Sequence, residues 1–336
     1  MSCLSPPLVA LGSLPGGSAG SPPALPSAGM RLRLQRFGEA IEFYAPGLKR
    51  WQTKEWTPKK ANRFLPVSVT GTACALQCDH CKTSVLKGMI TVSPQEGLFE
   101  IARGLLSQGT EGILVSGGST RSGRVPLEPH LRDMRRIRDE LGMRVIVHSG
   151  VVAPDLAKRL AEAGVEGVML DVIGARETIH EVYHLDLEVD DFERSIALLA
   201  EQGLRIIPHI VLGLHYGRML GEWKALEMIR RHPVSTLILV VLTPLVGTPM
   251  ESIPAPPLED VVAFFAHARA AMPDTRINLG CGRPMGAMKV ALDKAAVDHG
   301  LNGIAYPADG IIEYARASGL APGYFEYCCS LTWADP

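Results

Sequence analysis

Residues 67–89 read VSVTGTACALQCDHCKTSVLKGM. The opening run, Val67–Thr70, is short and β-like, and Cys74, Cys78 and Cys81 follow it at C-x3-C-x2-C spacing. Thiolates are soft ligands that suit iron–sulfur clusters. Three of them this close can hold three irons of a four-iron cluster and leave one iron free for a small chelating ligand. Buried cysteines also serve as small hydrophobes, but Gln77, Asp79 and Lys82 interrupt any apolar face here. Zinc stays open at this point: His80 is near and C-x2-C is a zinc spacing, although no second ligand pair follows closely.

Beyond this loop the chain alternates β-type runs with helical patterns. The further runs are Gly112–Ser116, Arg144–His148, Gly167–Leu170, Arg205–Ile210, Thr236–Leu242, Arg276–Leu279 and Gly303–Ala305. Each is short, apolar and bounded by Gly, Pro or polar residues, as buried parallel strands are. Between them Pro94–Ser107, Pro129–Leu141, Pro154–Ala163, Asp190–Gln202, Gly221–Arg231, Leu258–Ala271 and Met285–His299 space apolar residues by three and four. Pro94, Pro129 and Pro154 read as helix starts, and Gly109, Gly142, Gly164, Gly203 and Gly300 as stops. Eight strands alternating with helices predict an α/β fold, a closed (β/α)8 TIM-type barrel, with an open doubly wound sheet as the runner-up. In such barrels chemistry gathers on the loops after the strands.

The predicted barrel covers residues 61–320. Residues 1–29 are rich in Pro, Gly, Ser and Ala with almost no charge, which predicts a disordered tail. Cys3 lies in that tail and reads as a thiol without a role. Met30 opens ordinary sequence and is a second candidate start of the chain. Residues 30–60 form an N-terminal extension, and residues 321–336 a C-terminal tail that carries cysteines.

The triad after the first strand of a barrel resembles the radical S-adenosylmethionine (SAM) superfamily, on its biotin-synthase-like branch. The resemblance implies that the cofactor's amino and carboxylate groups chelate the free iron of a 4Fe–4S cluster. The reduced cluster then breaks the sulfonium C–S bond, and a 5′-deoxyadenosyl radical takes hydrogen from an unactivated carbon. Gly117 and Gly118, in VSGGS (Val115–Ser119), match the family's glycine pair for the methionine amino group, with Ser119 where Glu is frequent. Asp171, in LDVIGARETIHEVY (Leu170–Tyr183), matches a region of polar cofactor contacts and would bind a ribose hydroxyl, or else cap its loop. Glu177 and Thr178 are further candidates there, and Arg194 would reach the cofactor carboxylate or, as the plainer reading, lie on a solvated helix face. His209 and His215, in PHIVLGLHY, read as structural histidines. PLVGTPME (Pro244–Glu251) resembles a family turn fixed by Pro and Gly.

Two cysteine sites remain. Cys281 lies in LGCGRPMG after the seventh run, and Cys328 and Cys329 are adjacent in the C-terminal YCCSL. A tail folded across the barrel mouth would gather all three on a second, auxiliary iron–sulfur cluster, with Ser330 or Arg283 as fourth ligand; three unrelated thiols are the plainer reading. Together with the barrel they resemble a subunit of the two-component lipoyl synthase. That implies sulfur insertion into an octanoyl chain on a carrier protein or peptide, a second radical SAM subunit, and a reductant such as ferredoxin or flavodoxin. The separate N-terminal cysteine motif of ordinary lipoyl synthase is absent.

Composition narrows the alternatives. With 34 basic and 35 acidic residues, the net charge of -1 predicts neither nucleic acid nor membrane as partner. No apolar run reaches the roughly 18 residues of a spanning helix, and the clustered cysteines point to a reducing cytoplasm. A biotin synthase relative, mutase or methyltransferase, and a non-enzymatic electron-transfer or assembly module, are the competing functions.

Overall fold

The structure, a computed structural model, describes residues 26–60, 62–93 and 95–333. α1 (Ala28–Phe37) and β1 (Ala40–Tyr44) come first. β2 (Phe64–Ser68) leads into the cysteine loop and β3 (Ile90–Thr91). The chain then alternates α2 (Gly97–Ser107), β4 (Gly112–Ser116), α3 (Leu131–Leu141), β5 (Arg144–His148), α4 (Pro154–Ala163) and β6 (Gly167–Asp171). Next come α5 (Val189–Glu201), β7 (Ile206–Leu212), α6 (Glu222–Ile229), β8 (Thr236–Val241), α7 (Leu258–Ala271) and β9 (Arg276–Leu279). α8 (Ala287–Asp298), β10 (Gly303–Ala305), α9 (Ile311–Ala317) and β11 (Ala321–Phe325) complete it.

The helices form because each has one apolar stripe to bury. In α3, Leu131, Met134 and Ile137 are buried at intervals of three, while its arginines and carboxylates face outward. Gly142 and Gly164 end α3 and α4 in the left-handed conformation, at φ 65° and 68°, where a side chain would be strained. The strands carry apolar residues on both faces because helices cover one face and the lumen the other. Tyr44, Phe64, Ile146, Met169, Ile207 and Ile238 pack inside the lumen with Tyr327, Cys328, Cys329 and Leu331 of the C-terminal segment.

All strand pairs are parallel, in the order β11-β1-β10-β9-β8-β7-β6-β5-β4-β2-β3. The eight predicted strands are β2 and β4 to β10, in barrel order. The predicted closure differs: β10 pairs with β1 rather than with β2. Gly47 N–H donates to Phe64 C=O at 3.1 Å between the two sides, in place of a ladder. β1 and β11 come from the segments expected to flank the barrel, and they extend its sheet instead.

Most of the expected N-terminal tail lies outside the described residues, as do Cys3 and Pro94. Within it order begins before Met30: Ser27 caps α1 by accepting the Met30 N–H, and Met30 is buried. The C-terminal segment covers a barrel mouth, the one where the strands begin. Tyr327 sits beside Arg63, Glu111 and Arg144, and Trp333 beside Glu166 and Arg205. Among the described residues no helix is long and apolar enough to cross a membrane.

Candidate active site

Cys74, Cys78 and Cys81 lie on the loop after β2 and line a cavity of about 610 Å³ at the strands' C-terminal ends. The Cys78 Sγ contacts the Tyr183 carbonyl at 3.9 Å. A hydrogen bond shared with Cys81, then burial, push the Cys78 thiol up; its partner Cys81 is pushed down. Three neighbouring sulfurs resist full ionisation without a cation among them. Among the described residues no three His, Cys, Asp or Glu side chains converge on a single ion.

The loop seats against β4. Thr70 Oγ1 accepts the Gly118 N–H at 2.7 Å, and Ser119 C=O accepts the Ala75 N–H at 2.8 Å. A Cβ on Gly118 would collide with the Ala73 carbonyl and come within 2.5 Å of the Cys74 Cβ. Glycine is therefore required at 118 by the packing of the cysteine loop itself. Two strands along from β4, Asp171 ends β6, 3.6 Å from His148 Nε2, and accepts the Tyr183 hydroxyl at 3.3 Å. Burial alone would raise the Asp171 carboxyl, but the hydrogen bond and charge of His148 hold it well below the usual carboxylate range.

Cys281 lines the same cavity from the loop after β9. Beneath it, the buried Cys328 and Cys329 pack against Cys281. Asn278 Nδ2 donates to the Cys329 carbonyl at 2.8 Å and fixes the segment in the lumen. Hydrogen bonds to Cys281 and Cys328, with burial, push the Cys329 thiol up, while Cys328 is lowered to about 7. Ser330 is fully buried, and among the described residues its Oγ has no partner besides the Cys328 thiol.

A model of the Radical SAM superfamily matches residues 68–244. The chain belongs to the radical SAM superfamily. It is 29% identical to a biotin synthase of Chlorobium luteolum over 189 residues, 55% of this chain and 56% of the relative. A biotin synthase of Nitrosopumilus maritimus is 23% identical over 236 residues, 69% of this chain and 72% of the relative. The chain thus spans about half the length of the first of these relatives. Among solved structures, methylornithine synthase (PylB) superposes with a TM-score of 0.55 at 12% identity, covering 88% of this chain and 87% of that one. The FeFe-hydrogenase maturase HydG of Carboxydothermus hydrogenoformans gives 0.58 at 15% identity, covering 88% and 70%. At these identities the likeness is one of fold.

Radical SAM membership implies a 4Fe–4S cluster and SAM, and the residues present fit both. Three thiols and the glycine pair share one cavity, and His80, which also lines it, keeps a buried Nδ1 without a partner among the described residues. Asp171 lies on the cavity wall. Arg194 does not: it is exposed on α5 and pairs with Asp191 at 2.7 Å. Glu177 and Thr178 also lie off the cavity lining, Thr178 being buried against His215 at 3.3 Å. Arg283 is corrected as a ligand. Its guanidinium is consumed by Asp293 at 2.6 Å, the Gly280 carbonyl at 2.7 Å and the Tyr306 carbonyl at 3.1 Å. His209 is buried off the cavity lining and its Nδ1 donates to the Ile207 carbonyl at 3.0 Å; burial lowers it to about 4. Sequence reasoning missed His148, Tyr183 and Lys49 on the cavity wall. His148 carried a signal, a polar residue ending a predicted strand; Lys49, in the N-terminal extension, carried none.

Proposed function

We propose that the chain is a radical SAM sulfur-inserting enzyme acting on an octanoyl chain held by a carrier protein or peptide, in lipoyl formation. Cys74, Cys78 and Cys81 would hold the cluster that binds SAM, with Gly117, Gly118 and Asp171 around the cofactor. Bound there, cluster and cofactor supply a radical able to take hydrogen from a saturated carbon. Cys281, Cys328 and Cys329, with Ser330, would hold a second iron–sulfur cluster as the sulfur source. The observation that carries this reading is the second cysteine trio: Cys281 lines the cavity and packs against the buried Cys328 and Cys329, beside the buried Ser330.

The chain's own residues do the rest. Asp171, anionic beside His148, accepts hydrogen bonds from a ligand hydroxyl. The aliphatic side chains of the cavity suit a saturated chain and exclude water from it. The C-terminal segment seals the far end of the lumen. A second radical SAM subunit and a ferredoxin- or flavodoxin-type reductant complete the proposal, in the cytoplasm.

Anaerobic iron and sulfide quantitation tests it. Wild type should hold roughly twice the iron of Cys281→Ala or Cys328→Ala, and Ser330→Ala should weaken retention. With SAM, reductant and an octanoylated peptide, wild type should yield a thiolated peptide. Equal iron in all variants, or deoxyadenosine without sulfur in the peptide, would sink insertion. The biotin synthase relatives favour a second reading, sulfur insertion into a free small molecule. Product formed from the free acid but not from the octanoylated peptide selects it.

A further inference from the structure

We propose that Asp79 is a positioning residue that ties the SAM-facing wall of the cavity to the cysteine loop. The proposal rests on reading Cys74, Cys78 and Cys81 as the cluster site. Asp79 stands between Cys78 and Cys81 but turns away from the sulfurs. Its carboxylate accepts the Tyr216 hydroxyl at 2.8 Å, meets His184 Nε2 at 3.0 Å and pairs with Lys82 Nζ at 3.4 Å. Its backbone N–H donates to Val182 C=O at 2.9 Å. One side chain thus joins the cysteine loop, the segment after β6 and the turn after β7.

Those three segments hold most of the left-handed non-glycine residues among the described residues. Lys82, Thr83, His184 and Tyr216 have φ of 41°, 64°, 57° and 50°, where side chains other than glycine are disfavoured. Such residues persist only where their surroundings over-determine them. Lys82, His184 and Tyr216 are the side chains that Asp79 holds. A hydrogen-bonded carboxylate suits this task because charge-assisted bonds are the stronger ones.

What the knot secures is the cavity wall. Tyr183 precedes His184, and its ring lies 5.1 Å from that of His80. Its hydroxyl reaches Asp171 and its carbonyl meets the Cys78 sulfur. Freeing His184 and Tyr216 therefore loosens Tyr183, and with it the alignment of Asp171 against the cluster loop. Asp79 acts on cofactor binding through these neighbours rather than by contact.

Amide exchange on the cluster-free protein comes first, comparing wild type with Asp79→Ala, Asp79→Asn and Tyr216→Phe. Exchange over residues 178–184 should rise about tenfold in Asp79→Ala, as loss of a charged hydrogen bond implies, and less in the other two. After reconstitution, SAM is titrated against the electron paramagnetic resonance signal of the reduced cluster, normalised per cluster. Half-saturation should need about tenfold more SAM in Asp79→Ala, with Asp79→Asn intermediate. A merely structural role would lower cluster loading and leave that titration unmoved. Unchanged exchange at 178–184, or an unchanged titration in loaded variants, overturns the proposal. Should Asp79→Ala take up no iron, Asp79→Asn and Tyr216→Phe supply the titration. A wild type that takes up no four-iron cluster defeats the cluster reading alone, because the exchange data stand without it.

Discussion

Asp171 shows how one side chain acquires its role from its neighbours. Burial opposes its charge, yet His148 and Tyr183 stabilise the ionised form, so it can only accept hydrogen bonds from a ligand. Asp171→Asn keeps the shape and loses the charge. SAM binding to the reconstituted protein should weaken about tenfold, the usual worth of a charge-assisted hydrogen bond. Arg194→Ala should leave it unchanged, since Arg194 faces solvent beside Asp191. Equilibrium binding of labelled SAM to both variants checks the pair. Equal weakening in the two would remove Asp171 from the site.

Among the elements, the cysteine loop and the end of β4 behave as one unit. Gly118 lies so close to Ala73 and Cys74 that any side chain must push the loop off the strand. Gly118→Ala should destabilise the cluster-free protein by about 1–3 kcal/mol, the range for overpacking a tight contact. Chemical denaturation measures this directly. A midpoint equal to wild type would show that the loop can yield, and that the glycine answers to the ligand alone. Gly286→Ala is a useful contrast, because nothing crowds a Cβ there and only its φ of 70° is strained.

The whole molecule is a barrel used from both ends. The cavity opens at the ends of the strands, while the C-terminal segment enters where the strands begin and carries two cysteines into the lumen beside Cys281. Tyr327 anchors that segment. Its hydroxyl donates to Glu111 Oε2 at 2.5 Å, and the Arg63 guanidinium lies 4.3 Å from its ring centre. Burial would raise the Glu111 carboxyl, but hydrogen bonds from Tyr327, Arg63 and Lys60 bring it from 4.5 down to about 2. A carboxyl lowered by folding contributes stability that is present above its unfolded value. That contribution is lost as pH falls through the folded one. Stability should therefore decline between pH 4.5 and about 2. Glu111→Gln should flatten that part of the curve, measured as denaturant midpoint against pH. Tyr327→Phe should cost about 1 kcal/mol near neutral pH, the worth of one hydrogen bond. A pH profile identical in wild type and Glu111→Gln would detach Glu111 from the anchor.

The sequence alone determined the eight parallel strands and their order, because apolar runs between amphipathic helices leave few arrangements that bury both. It also marked the cysteine loop, since ligand spacing is local and survives any folding. Only the tertiary structure decided that β1 stands where β2 would close the barrel, because strand pairing joins residues far apart in the chain. It alone brought Cys281 to Cys329 and spent Arg283 on Asp293. Whether a polar group is free to bind depends on the neighbours that packing places around it, and those neighbours are not written at its position in the chain.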